Sequence, residues 1–150
     1  MALKMKNMKQ FCLFLCIWAL PAIAWSQTES PIVTKEKLKM VFQLTSNDTL
    51  VQKALIKQLN NVLIAAPNAK IEVVCHNNGI SFLQSALTKQ TDGIKALHGK
   101  GVDFVACANT LRERKIKVEE LLSACRITPS GVVEIAMKQH KGWAYLKAGF

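Results

Sequence analysis

The sequence has too few cysteines for a disulfide-stapled scaffold, and it lacks the spacings that form common metal, nucleotide and hydrolase sites. Its 150 residues contain five cysteines and three histidines, with no C-x-x-C and no H-x-x-H pair. The G-x-G-x-x-G and G-K-[ST] turns of nucleotide sites are absent, as is the G-x-S-x-G turn of serine hydrolases. These absences argue against a disulfide-stapled scaffold, a nucleotide-binding protein and a serine hydrolase.

Aromatic and acidic residues are also scarce. Aromatic side chains make up 7% of the chain, and 10 acidic residues stand against 20 basic ones, which gives a formal net charge of +10. The lysines are scattered, without the interleaved aromatic residues on which nucleic-acid bases stack. We therefore expect no nucleic-acid partner and a solvated basic surface that still attracts anionic ligands or acidic partners.

The amino terminus has the pattern of a secretory signal peptide. Three lysines among the first nine residues precede an apolar run over residues 11–20, and Ala22 and Ala24 supply the small side chains of a cleavage site. The apolar run is shorter than the roughly 20 residues that a membrane-spanning helix needs. The pattern predicts a signal peptide over residues 1–24, export to the periplasm, and no stable membrane insertion after cleavage.

Removal of the signal peptide leaves 126 residues with a net charge of +7, enough for one domain with a real core. Residues 25–36 are polar and contain a proline, which predicts a flexible tether before a folded domain over residues 37–150. The remaining cysteines are Cys75, Cys107 and Cys125, so at most one internal disulfide can form.

From residue 37 onward, short apolar strands alternate with segments of helical period. Such alternation predicts an α/β fold in three layers, with a mainly parallel sheet covered on both faces. The expected strands are 38–44, 70–75, 102–107, 126–128 and 143–146. The helical segments are expected to carry Val51, Leu55, Leu59 and Val62, then Ile80, Leu83 and Leu87, then residues 94–97, then Val118, Leu121 and Leu122, and finally Val132, Val133, Ala136 and Met137 as the apolar face of the last helix.

In parallel sheets, the turns after the strands collect at one edge, where ligands usually bind. Three polar turns should meet there. Their candidate site residues are Asn47 and Asp48, then Cys75, His76, Asn77 and Gly79, and finally Cys107, Asn109 and Thr110.

Cys107 is the residue on which the functional argument depends. Residues 101–106 predict a buried strand that ends at the cysteine, and Asn109 and Thr110 are good caps for the helix that follows. Backbone N–H groups and the positive end of a helix dipole favour a thiolate, which is the form that acts as a nucleophile or sulfur acceptor. The alternative is a buried cysteine that behaves as a small hydrophobic side chain.

Two further interpretations of this edge stay open. His76 either carries protons or is a turn histidine that faces solvent. Zinc or copper could use Cys75, His76, Cys107 and Asp48, but neighbours in sequence such as Cys75 and His76 usually point apart. We therefore expect no metal and no cofactor.

Several segments together resemble the DsrE/DsrF-like family of small sulfur-relay proteins. They are residues 101–111 (GVDFVACANTL), 118–122 (VEELL), 129–134 (PSGVVE) and 139–145, together with the turn in residues 73–80. The resemblance implies a parallel five-stranded sheet between helices and assembly into homotrimers or hexamers. It also implies a cysteine that carries sulfur as a persulfide, and Cys107 is the residue at the matching position.

The leading hypothesis is an exported sulfur-handling or thiol-redox protein in which Cys107 accepts sulfane sulfur and Cys75 acts as a resolving partner. The sulfur donor or acceptor would be another protein or a small sulfur compound. The alternative hypothesis is a non-enzymatic oligomeric module that binds a small anionic ligand, since capped helix starts are ready-made anion sites.

Overall fold

A computed structural model describes residues 34–149. The predicted signal peptide, residues 1–24, and most of the predicted tether lie outside the described residues. The last residues of that tether contact the domain: the N–H of Thr34 donates to the carbonyl of Ala65 at 2.7 Å, and the Asn68 side chain donates to the carbonyl of Lys35 at 3.1 Å.

Strands and helices alternate along the described chain. The strands are β1 (Lys39–Leu44), β2 (Lys70–Cys75), β3 (Asp103–Cys107), β4 (Cys125–Thr128) and β5 (Ala144–Lys147), and the α-helices are α1 (Thr49–Ala65), α2 (Thr91–Gly99), α3 (Ala108–Arg114) and α4 (Gly131–His140). Two short 3₁₀ helices span Asn77–Phe82 and Val118–Glu120.

The five strands form one sheet in the order β4-β3-β2-β1-β5, and every neighbouring pair is parallel. The carboxyl ends of all five strands therefore lie at one edge, which we name the carboxyl edge. The predicted α/β fold with a parallel five-stranded sheet is confirmed.

Side chains alternate between the two faces of this sheet, as they must along a strand. On the first face, Phe42, Val73 and Phe104 pack with buried residues of α1 and α2 in the main core. On the opposite face, Val41, Val74 and Val105 pack against Ile135 of α4, with Trp143 beside them. We name these the α1 face and the α4 face; together with the sheet they make the three predicted layers.

The helix expected over Ile80, Leu83 and Leu87 is wrong. The chain forms the 3₁₀ helix Asn77–Phe82 instead, in which Ile80 is buried whereas Leu87 lies beyond it and is exposed. The cause is Gly79, because a Cβ atom there would lie 2.1 Å from the carbonyl oxygen of Leu44. The tight turn that brings Gly79 against the end of β1 uses a positive φ of 52° at Asn77, which a continuous α-helix does not contain. Of the stripe expected at Val118, Leu121 and Leu122, Leu122 is buried in the main core and Leu121 packs against it, whereas Val118 is exposed.

The apolar face expected for α4 points outward. Val132, Val133 and Met137 have exposed fractions of 62%, 55% and 50%, whereas Ile135 is buried. The helix is rotated because Lys138 faces the sheet and pairs with Glu72, a fully buried residue of β2. The ion pair, rather than the apolar pattern, sets the orientation of α4.

Glu72 is the centre of a charge cluster on the α4 face. Its Oε2 atom accepts from Lys138 and, at 2.9 Å, from Arg126, while its Oε1 atom has no hydrogen-bond partner among the described residues. Arg126 also bridges to Asp103 and Glu134, each at 2.8 Å. Burial raises the pKa of Glu72 above its ordinary value, although Lys138 and Arg126 act to lower it. The cluster therefore ties α4 to β2, β3 and β4.

We expect the substitution Lys138→Met to lower the free energy of unfolding by about 3 kcal/mol, because it leaves a buried carboxylate with one cation fewer. Denaturant unfolding measures the effect. Lys141→Met at the end of the same helix is the matched control, since Lys141 forms no salt bridge with a described residue. Equal stabilities of the two variants would contradict this account of the cluster.

Candidate functional site

Cys107 lies between the starts of two helices at the carboxyl edge. It is the last residue of β3 and occupies the N-cap position of α3, with an extended backbone. In the neighbouring strand, β4 ends at Thr128, and α4 begins at Gly131 after a two-residue connection. The capping role expected for Asn109 and Thr110 is wrong, since both lie in the first turn of α3 rather than before it.

The sulfur of Cys107 accepts a backbone hydrogen bond from the start of α4. The N–H of Gly131 donates to Sγ at 3.2 Å. Burial alone would raise the pKa of Cys107, but hydrogen bonds from Gly131, Thr110 and Asn109 outweigh it, so the pKa lies below its ordinary value. The site therefore stabilises a thiolate, which is the reactive form of cysteine.

Gly131 permits this contact because it has no side chain. A Cβ atom at this position would lie 3.1 Å from a methyl of Val74, 3.2 Å from Cβ of Cys107 and 3.4 Å from Cβ of His76. An added Cβ atom would therefore require a shift of a few tenths of an ångström between the start of α4 and these neighbours. Close packing at Gly131 is thus what places the α4 N–H group on the sulfur.

His76 lies on the same side of the carboxyl edge, directly after β2. Its Nε2 atom accepts a hydrogen bond of 2.7 Å from the Gln43 side-chain amide, and the Tyr145 hydroxyl donates to the oxygen of that amide. Burial lowers the pKa of His76 below its ordinary value, which favours the neutral ring at neutral pH. Because Nε2 accepts from Gln43, the neutral ring carries its proton on Nδ1.

These groups line a cleft of about 320 Å³, which we name the Cys107 cleft. It brings together five of the residues predicted from the sequence: His76, Asn77, Cys107, Asn109 and Thr110. It also contains Glu113, Ser130 and Val132, which sequence reasoning missed. The sequence could have indicated Ser130 and Val132 as site residues, because the turn after β4 is a fourth turn at the same edge of the sheet.

Three other candidates have different places. Asp48 caps α1 by accepting the N–H of Leu50 at 2.7 Å. Gly79 is buried against the end of β1, where it has a structural role. Asn47 lines a separate cleft.

The structure contradicts the expected resolving role of Cys75. Cys75 pairs with Ala106 in the β2–β3 register, so its side chain and that of Cys107 project to opposite faces of the sheet. Cys75 is fully buried in the main core, where burial and, to a lesser extent, Cys125 raise its pKa well above the ordinary value. All three described cysteines are free thiols.

Two further findings apply to residues 34–149. No cluster of three histidine, cysteine or acidic side chains in this part of the chain is arranged to hold a metal ion. None of the helices described there has both the length and the apolar character required to cross a bilayer.

The fold and the site define a class of small α/β proteins with a thiol at the carboxyl edge of a parallel sheet. A model of the DsrE/DsrF-like family matches residues 39–148, and the chain belongs to this family. Among solved structures, it is similar to MTH1491 from Methanobacterium thermoautotrophicum, a protein of unknown function, with 31% identity and a TM-score of 0.71. The match covers 74% of this chain and 99% of that chain. No curated protein matches the sequence.

Because Gly131 packs against Cys107, we expect Gly131→Ala to weaken the N–H contact and raise the pKa of the thiol. The pH profile of alkylation by iodoacetamide should then move to higher pH, with slower alkylation at pH 7. Gly99→Ala is the matched control, because no atom lies within 4 Å of a Cβ added there. Identical alkylation profiles for wild type and Gly131→Ala would show that Gly131 does not set the acidity of Cys107.

Proposed function

We propose that this protein carries sulfane sulfur as a persulfide on Cys107. The observation that carries the proposal is the set of hydrogen bonds on the Cys107 sulfur, led by the N–H of Gly131. These hydrogen bonds favour the thiolate form of Cys107, which attacks the sulfur donor. They also stabilise the persulfide anion that results. Membership of the DsrE/DsrF-like family supports a sulfur-relay-like function.

The transfer step moves one sulfur atom without net oxidation. The Cys107 thiolate attacks the outer sulfur of a donor persulfide, R–S–SH, and the S–S bond of the donor breaks as the new S–S bond forms. The donor leaves as a thiolate and takes the proton from the transferred sulfur, which leaves a persulfide anion on Cys107. His76 lines the same cleft, and relay of that proton through Nε2 requires release of its hydrogen bond with Gln43.

The arrangement of the cysteines favours a sulfur carrier over a dithiol redox protein. Cys75 lies on the α1 face, and Cys125 pairs with Phe104 on that same face, while Cys107 faces the α4 side. No other cysteine of residues 34–149 therefore shares the face of Cys107. A carrier needs one thiol that hands its sulfur to another molecule, whereas an internal redox cycle needs two within reach.

Incubation of the reduced protein with inorganic polysulfide should add one reducible sulfur atom, detected by intact mass spectrometry, that peptide mapping places on Cys107. Cys107→Ser should lose this mass gain completely. Cys125→Ser is the control, because its thiol lies on the other face of the sheet, and it should load as wild type does. Unchanged loading of Cys107→Ser would reject the carrier role and favour the anion-binding alternative.

We also propose that the protein is exported to the periplasm and works as a homo-oligomer of three or six copies. Export is supported by the signal pattern in residues 1–24. Assembly is supported by α4, which presents Val132, Val133 and Met137 outward on one face. We propose that a second copy of the chain packs on this apolar stripe. Val132 lines the Cys107 cleft, so the subunit contact would reach the rim of that cleft.

The substitution Val133→Asp should dissociate this assembly into monomers, because it places a carboxylate in an apolar contact. Size-exclusion chromatography with light scattering measures the mass in solution. Leu50→Asp is the control, since Leu50 is 69% exposed but lies on α1. Dissociation by Leu50→Asp but not by Val133→Asp would place the interface elsewhere.

A further inference from the structure

A second cleft adjoins the Cys107 cleft, and the sulfur chemistry described above does not use it. Its volume is about 250 Å³. The lining combines the amide side chains of Asn47, Asn78 and Gln84 with the exposed apolar side chain of Leu87 and a single charge, Arg114. No carboxylate lines it. We name it the Arg114 cleft.

Neighbouring residues separate the two clefts. Asn77 lines the Cys107 cleft and Asn78 lines the Arg114 cleft. The N–H of Asn77 donates to the hydroxyl of Thr110 at 3.0 Å, and Thr110 lines the Cys107 cleft together with Cys107. The two clefts therefore lie on either side of the Asn77–Asn78 segment.

Arg114 is held in place without being neutralised. Its Nη2 atom donates to the side-chain oxygen of Asn77 at 2.7 Å and to that of Asn78 at 2.6 Å, and both acceptors are neutral amides. Arg114 forms no salt bridge with any residue of the described chain, whereas Arg126 bridges three carboxylates. Both Nη2 protons are donated to these asparagines, so Nε and Nη1 of the oriented guanidinium remain to donate to a carboxylate.

Gln84 supplies a second polar group to the Arg114 cleft. Its exposed fraction is 9%, it lines the Arg114 cleft, and its side chain makes no hydrogen bond to another described residue. The amide nitrogen and oxygen of Gln84 keep access to the cleft, so both are free to bind a ligand there. A ligand with an amide group would satisfy both the donor and the acceptor of Gln84.

We propose that the Arg114 cleft binds the polar end of a low-molecular-weight persulfide or thiol that bears a carboxylate and an amide. Arg114 binds the carboxylate, Gln84 binds the amide, and the sulfur end lies in the Cys107 cleft. This inference rests on the proposed sulfur-carrier function and names the substrate class for it. The outer sulfur of the donor is transferred to Cys107. The donor takes the proton from that sulfur and leaves as the free thiol.

The test compares three donors: glutathione persulfide, the persulfide of glutathione diethyl ester, and inorganic polysulfide. The rate of sulfur loading onto Cys107 is followed by intact mass spectrometry. Arg114→Gln should slow loading from the free-acid donor about tenfold, as expected for loss of one charge-assisted contact. Loading from the diethyl ester and from polysulfide should stay as in wild type.

Arg112→Gln is the matched control, because it removes the same charge from the same helix and Arg112 lines neither cleft. Equal slowing by Arg112→Gln, or no slowing by Arg114→Gln, would overturn the inference, while polysulfide loading of both variants would leave the carrier function intact. Gln84→Met is a second variant, and it should slow the free-acid and ester donors alike.

Calorimetric binding of S-methylglutathione, which cannot donate sulfur, separates the subsite from the chemistry. Binding to wild type that is lost in Arg114→Gln supports the subsite even if no donor loads Cys107, in which case the carrier function is wrong. Absence of binding to wild type, together with equal loading rates for the free-acid and ester donors, would contradict the subsite.

Discussion

The contact between the N–H of Gly131 and the sulfur of Cys107 is the interaction on which the candidate site depends. It joins the first residue of α4 to the last residue of β3 over 3.2 Å. The contact exists because a glycine fits against Val74, Cys107 and His76, where any Cβ atom would be crowded. The acidity of the thiol is therefore a property of helix packing as much as of the cysteine itself.

The remote half of α4 secures that packing. Lys138 of α4 pairs with the fully buried Glu72 of β2. Arg126 of β4 pairs with Glu72 and also with Glu134 of α4. Charges buried in this way are retained only when they are paired, so the helix has one favourable rotation about its axis. That rotation directs Val133 and Met137 outward while it holds Gly131 on the sulfur. One helix thus connects the charge cluster, the thiol and the proposed subunit contact.

The sequence was sufficient to predict the sheet and the edge at which the site lies. Buried parallel strands appear in a sequence as short apolar runs. The observed bounds of β1, β2 and β3 are close to those predicted from such runs. It was not sufficient for the helices. The apolar pattern of α4 resembles a core-facing stripe, but an ion pair between Lys138 and Glu72, distant in sequence, decides which side is buried.

The register between neighbouring strands was the second feature that the sequence did not predict. Cys75 and Cys107 end neighbouring strands, so the sequence alone allows the two thiols to lie within reach of each other. Cys75 lies opposite Ala106, however, and this offset of one residue places the two thiols on opposite faces. The same limit applies to Arg114, whose importance comes from a cleft and from the two asparagines that hold it. Neither feature has a signature in the local sequence.

The most direct measurement is intact mass spectrometry of the protein taken from the exporting compartment, with its thiols trapped by alkylation, before and after reduction. The account predicts a chain that begins at Trp25 and carries reducible extra sulfur on Cys107. A Cys107 that carries no sulfur and fails to react with the alkylating agent would contradict the central claim.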